Sequence, residues 1–337
     1  MSTSLEHLLP APEQAIRCAE HARTIGVDPG GTAIRADRVV LVPTPAPWPK
    51  PALGHPLLID LAARLAASEV PTRLLAAVPG PGPSDQVVVY DRTGGSAIEQ
   101  RFAFDGQVDQ LAAIGRLLAP LAGEETGDVP APVERHEPAR PAVLICTQGS
   151  HDVCCGSEGT RLAESIESQI GEPGGLAAGL QVVRVSHTGG HRFAPTAMTL
   201  PDGRMWAGLD TDSTTAILGR SGGGSALSGR CRGWWGAETG APQIAERAVF
   251  AELGWQLDAR ARTIEPADRP GPGPATGQGD TSPSAAEGFI VVAGDDRWRV
   301  DVALGREVPT IACREPGGLP VKPAREYRVV AVDRLTG

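Results

Sequence analysis

An α/β chain in which one order of strands and helices occurs twice, closed by a small β appendage, is the fold class that the sequence predicts. Three observations lead there. Short apolar, β-branched runs alternate with segments of helical spacing. An acidic, proline-rich stretch at 123–140, GEETGDVPAPVERHEPAR, falls between two such series and reads as a linker. Short alternating runs crowd residues 288–337, as in a small sheet.

The first series opens with a helix over Glu13–Ile25, a polar turn VDPGGTAIRAD and a strand at Val39–Val42. A proline-studded loop, PTPAPWPKPALGHP, leads into a helix over Leu57–Ala67. Strands follow at Thr72–Val78, Gln86–Tyr90 and Gln100–Phe104, then a helix over Gln107–Leu121. Beyond the linker the order repeats: strand 142–145, a cysteine-bearing loop, helix Gly159–Ile170, strands 180–185, 194–200 and 204–208, and helix Ser213–Leu218. This is the thioredoxin arrangement twice in tandem, with residues 1–122 as an N-terminal thioredoxin-like half and 141–257 as a second. In RFAPTAMTLPDGRMWAGL a proline before a strand and a D-G hairpin turn are similar to the thioredoxin proline loop. The Ala194–Pro195 bond is accordingly expected to be cis.

The stretch SGGGSALSGRCRGWWGAETGAP is glycine-rich, but Trp234 and Trp235 need something to pack on. A helix over Pro242–Leu253 follows. Residues 258–287 include RPGPGPATGQGDTSPSAAE, a composition that reads as a disordered linker. Strands at Phe289–Val292, Trp298–Val302 and Tyr327–Val332 make the appendage.

Bulk properties narrow the function. The 337 residues suffice for two domains, and 41% hydrophobic residues suffice for their cores. A net charge of −9, with two lysines, Lys50 and Lys322, among the 31 basic residues, argues against nucleic acid or an anionic membrane as partner. No window approaches the roughly 20 apolar residues of a spanning helix, and the first residues have no signal-peptide pattern. The expected compartment is the cytoplasm, where six cysteines favour metal or redox chemistry over a disulfide framework. Cys18, Cys231 and Cys313 stand alone in sequence and read as small buried apolar side chains.

Chemistry concentrates between Cys146 and His191. Cys146 and Cys155 form C-x8-C in ICTQGSHDVCCG; His187 and His191 form H-x3-H in VVRVSHTGGHRFAPT. Each pair follows a strand-like run, so both sit at strand ends and can meet. Two thiolates and two imidazoles suit zinc or an iron–sulfur cluster, and not calcium or magnesium. Gly189 and Gly190 let the backbone bend between the histidines through positive φ, unlike a helical zincin motif. Eight residues are a wide gap for a zinc knuckle, and a binuclear cluster tolerates it better. Cys154 diverges from its neighbour Cys155 and reads as a packed thiol or reserve ligand; His151 reads as a solvated loop residue. Asp152 and Arg192 are candidates for hydrogen bonds around the site.

CTQGSHDVCCG, SHTGGHRFAPT and LPDGRMWAG together resemble the sucrase/ferredoxin-like family, best over Pro141–Glu246. That resemblance implies a thioredoxin-like fold with a [2Fe-2S] cluster whose ligands fall on Cys146, Cys155, His187 and His191. No carboxylate pair supports the glycosidase in the family's name. Two neutral imidazoles in place of two thiolates ease reduction, with an expected potential in the range of about −150 to +300 mV against about −400 mV for an all-cysteine cluster. An imidazole nitrogen that reaches water would couple the potential to pH above neutrality. The expected role is a one-electron carrier or redox sensor served by a separate redox protein, since G-x-G-x-x-G is absent. Two other classes stay open: a zinc-stabilised interaction module, and a thiol–disulfide oxidoreductase using Cys154 and Cys155, which lacks C-x-x-C and would need a strained vicinal disulfide.

Overall fold

The structure is a computed structural model that describes residues 5–66, 68–80, 86–103, 110–120, 131–150, 153–267 and 286–335. It is a mixed α/β molecule with one ten-stranded sheet and a separate four-stranded antiparallel sheet.

The large sheet is made of two sets of strands with matching pairing. In the first, β1 (Arg38–Pro43) pairs in parallel with β2 (Thr72–Ala77) and antiparallel with β3 (Val87–Thr93). Then β3 pairs antiparallel with β4 (Ser96–Phe102), and β4 with β5 (Glu134–His136). In the second, β6 (Ala142–Cys146) pairs in parallel with β7 (Gln181–Val185) and antiparallel with β8 (Ala197–Leu200). Then β8 pairs with β9 (Arg204–Trp206), and β9 with β10 (Cys231–Trp234). The sets meet where β2 pairs with β7 at Ala77 and Val185, reinforced by backbone bonds between Ser186 and Ala76 and between Val78 and Arg184. Every residue of β6 is buried, which explains its unbroken apolar run: a strand covered on both faces has no polar alternation to show. Each Leu or Ile so enclosed contributes about 1.5–3 kcal/mol.

The helices are α1 (Cys18–Thr24), α2 (Ile59–Ala66), α3 (Gln110–Leu118), α4 (Thr160–Glu167), α5 (Thr211–Leu218), α6 (Gly224–Ser228), α7 (Ala241–Leu253) and α8 (Trp255–Asp258). Asp210 and Ser213 close a reciprocal capping box that starts α5, removing two orphan donors. None of the described helices is long and apolar enough to cross a membrane.

Several expectations need correction. The helix expected at Glu13–Ile25 begins only at Cys18. The preceding residues bond instead to the C-terminal region, with Arg314 N donating to Ile16 O and Gly317 N to Gln14 O. The strand expected at Gln100–Phe104 is β4, earlier by several residues, because Gly94 at φ +57° makes a tight hairpin with β3. The strand expected from 194 starts at Ala197, after a 3₁₀ turn at His191–Phe193. Residues 134–136 of the expected linker form β5. Within the stretch read as disordered, β11 (Arg262–Pro266) pairs with β12 (Glu287–Ala293); residues 268–285 lie outside the described ones, as do 121–130.

The small sheet continues through β13 (Asp296–Thr310) and β14 (Lys322–Leu335). Both strands are longer than their alternation suggests, because register shifts near Asp301 and Leu304 interrupt the pattern. Phe289, Val291, Trp298 and Val300 join one apolar core with Ile145, Ile166, Trp206 and Phe250, so the C-terminal strands complete the second half's core. The Ala194–Pro195 peptide is cis. Trp234 and Trp235 are 1% and 0% exposed, and residues 231–235 of the glycine-rich stretch are all buried.

Candidate metal centre

β6 delivers Cys146 to the end of a central strand. Its amide donates to Thr196 O at 3.0 Å, and the next amide, of Thr147, donates to Val185 O at 2.9 Å; both adjoining strands therefore hold the chain as it leaves the sheet. The loop returns with Gly149 and Gly156 so close that a Cβ on Gly156 would strike the Gly149 Cα. Cys155 then opens a wide π-helical turn, Cys155–Gly159, that runs into α4. Gly159 lies against the Cys146 carbonyl where no side chain fits. This folding back brings the two sulfurs together: the Cys146 thiol is in hydrogen-bonding contact with Cys155 and with His187. Such turns recur at functional sites.

The histidine loop leaves β7 through Ser186. Gly189 and Gly190 have φ of +79° and +66°, the left-handed bend that the sequence required, and a Cβ on Gly190 would lie 2.7 Å from the Arg232 guanidinium carbon. The His187 and His191 rings are 6.2 Å apart, centroid to centroid, tilted by 43°. Both sulfurs are sealed off, at 0% and 1% exposed, whereas both imidazoles are half-buried.

Two arginines, Arg232 buried and Arg73 half-buried, approach the sulfurs. Arg73, on β2, donates to the His187 carbonyl; Arg232, on β10, donates to the carbonyls of Thr32, Thr188 and Gly189 and to the Thr32 hydroxyl. Burial pushes the Arg232 guanidinium down to about 10, against the pull of Cys146 and Cys155. Burial likewise lowers Arg73, opposed by Cys146. Cys146 itself is held well below the ordinary thiol value, chiefly by the hydrogen bond with Cys155, with His187 and the Gln148 and Thr188 backbone adding to it against burial. A thiolate stabilised in this way has the character that metal binding needs.

Gln148 links the two loops: its side-chain oxygen accepts from His187 N at 3.0 Å, and its amide donates to Pro49 O at 2.8 Å. Ser150 Oγ donates to Trp48 O at 2.5 Å. The proline loop of the first half thus supports the cysteine loop of the second. Arg192 leaves the site, bonding to Thr310 Oγ1 and stacking on Phe193 at 4.7 Å. His151 and Asp152 lie outside the described residues.

Sequence reasoning missed Arg73, Arg232 and Gln148, and it missed a second gathering of sulfur. Among the described residues, the ligand atoms of Cys18, Cys154 and Cys313 all lie within 4.8 Å of one another. Cys18 Sγ is also 3.6 Å from His191 Nδ1. This cysteine group has the donors to hold a metal. No disulfide joins any of the six cysteines.

The family model described as Sucrase/ferredoxin-like matches residues 29–233. No curated protein and no solved structure matches the chain.

Proposed function

Because the chain belongs to the sucrase/ferredoxin-like family, we propose that it is a [2Fe-2S] protein that carries single electrons or senses redox state, with Cys146, Cys155, His187 and His191 as the cluster's ligands. The observation that carries this reading is the contact of the Cys146 sulfur with both Cys155 and His187, with the His191 ring beside His187. The donor set fits the group: soft thiolates and imidazoles from two separate loops are the ligands such a cluster takes. When bound, the cluster supplies a one-electron couple. The chain's own part is to keep both sulfurs dry, to offset their charge with Arg73 and Arg232, and to leave the imidazoles nearest the surface.

The two strand sets are read as thioredoxin-like halves. Support comes from their shared pattern, in which a parallel pair is extended by two antiparallel strands on the side of the first strand. The division at 1–122 and 141–257, with 288–337 as a third piece, follows from that reading. Cytoplasmic residence is proposed with it, since six unbridged cysteines belong in a reducing compartment. Electron donor and acceptor are separate proteins.

Iron and sulfide analysis of protein purified without air, with EPR after dithionite reduction, tests the reading. The expected result is equal iron and sulfide, two of each per chain, and a reddish-brown colour. A colourless protein with stoichiometric zinc would replace it by the structural zinc alternative. Metal-free protein with a Cys154–Cys155 disulfide would favour the thiol oxidoreductase.

A further inference from the structure

We propose that Cys18, Cys154 and Cys313 form a second metal site, a three-thiolate pocket for one cuprous ion. Three sulfurs mutually within 4.8 Å can close on a single ion. They come from the start of α1, from the cysteine loop and from the turn after β13, so no local motif accounts for their meeting. Cys18 and Cys313 lie outside the stretch 29–233 that matches the family model.

The donor type selects the ion. A set of sulfurs alone excludes calcium and magnesium, which take oxygen. Zinc in structural sites is almost always four-coordinate, whereas three thiolates satisfy a soft monovalent ion of the copper(I) class. The ring nitrogen His191 Nδ1, 3.6 Å from Cys18 Sγ, belongs to the other ligand set; this last step rests on the ligand assignment proposed above. The surroundings agree: Ala19, Ala194 and Ile311 are buried around the sulfurs, with Leu9, Ile16 and Val321 against them. An apolar wall holds off water and favours a soft, weakly hydrated ion over a hard one. Arg192, close enough to feel the charge of Cys18, offsets part of the negative charge. Cys313 is partly exposed and gives the ion its way in. An ion there fastens the N-terminal helix and the C-terminal turn across the cysteine loop.

The test titrates anaerobically purified protein with cuprous ion held by a competing colorimetric chelator, beside Cys18→Ser, Cys313→Ser and the control Cys231→Ser. The unaltered protein and the control are expected to withdraw one equivalent with iron content and visible spectrum unchanged. The two serine variants should lose affinity by more than the roughly 10–100-fold that loss of an outer partner of a metal site costs. Circular dichroism identifies a variant that fails to fold, and copper-edge X-ray absorption of the unaltered protein then serves instead, with three sulfur neighbours and no nitrogen expected. Equal uptake by all variants, iron released in step with copper bound, a nitrogen neighbour, or one zinc that cuprous ion does not displace would each overturn the site. If the protein proves to hold no iron, the same titration on the Cys146→Ser, Cys155→Ser double variant separates the two proposals: one equivalent bound there keeps this site although the cluster is lost.

Discussion

The two strand sets of the large sheet share their pairing but not their chemistry. After β1 the chain enters a proline loop whose Trp48 is buried among apolar side chains; after β6 it enters the loop that carries Cys146, Cys154 and Cys155. One pattern of pairing thus occurs twice, and the connections after β6 and β7 give only the second copy the cysteines and histidines of the candidate centre. The first copy is not idle, because Trp48 and Pro49 accept hydrogen bonds from the second copy's loop. The candidate centre sits in loops placed by a rigid sheet, and the proline loop acts as a buttress for the cysteine loop.

The strongest way to break this contrast is to remove a sulfur. Cys146→Ser or Cys155→Ser should abolish the visible spectrum and bound iron; a variant that keeps both refutes the ligand assignment. Next in size, His187→Cys and His191→Cys should keep a cluster but lower its midpoint potential by a few hundred mV, toward the roughly −400 mV of all-cysteine ligation. Potentiometry reads this, and an unchanged potential removes the histidines from the ligand set. Gly190→Ala puts a side chain on a left-handed residue, which costs about 1–2 kcal/mol from the backbone alone, and also crowds Arg232; denaturant midpoints should fall accordingly. Ser150→Ala removes one hydrogen bond to the buttress and should cost about 0.5–1 kcal/mol, with faster bleaching in air. Smallest is Gly54→Ala in the proline-loop region. Nothing lies within 4 Å of the added Cβ there, so stability should stay within about 0.5 kcal/mol. A large loss at Gly54 with none at Gly190 would invert the comparison.

The meeting of the cysteine and histidine loops was legible because each pair follows a strand whose β-branched run announces itself, and because Gly189 and Gly190 could only mean a bend. The repeated order of elements was legible for the same reason. What stayed hidden depends on tertiary packing. Cys18 and Cys313 carry no local signal; they approach Cys154 because residues 14–16 bond to the 312–318 turn and the C-terminal strands complete the core of the second half. Nothing in the sequence sets Arg73 and Arg232 apart from the other arginines. Their partners are backbone carbonyls of loops that fold into place only when the sheet is whole. The glycine-rich stretch is ambiguous for the opposite reason: its glycines permit close approach, as where Gly236 lies on the Trp234 indole and Gly224 on the Phe250 carbonyl, and dense packing needs such residues as much as loose loops do.

Arg73 has one more consequence. It stands on a strand of the first repeat, yet it grips the carbonyl of His187 in the second. A gene fragment encoding the second repeat alone would keep all four proposed cluster ligands and lose the hydrogen bond that holds the backbone of one of them. Competence and posture are therefore inherited from different parts of the polypeptide, and any recombination that parts them separates the tool from its grip.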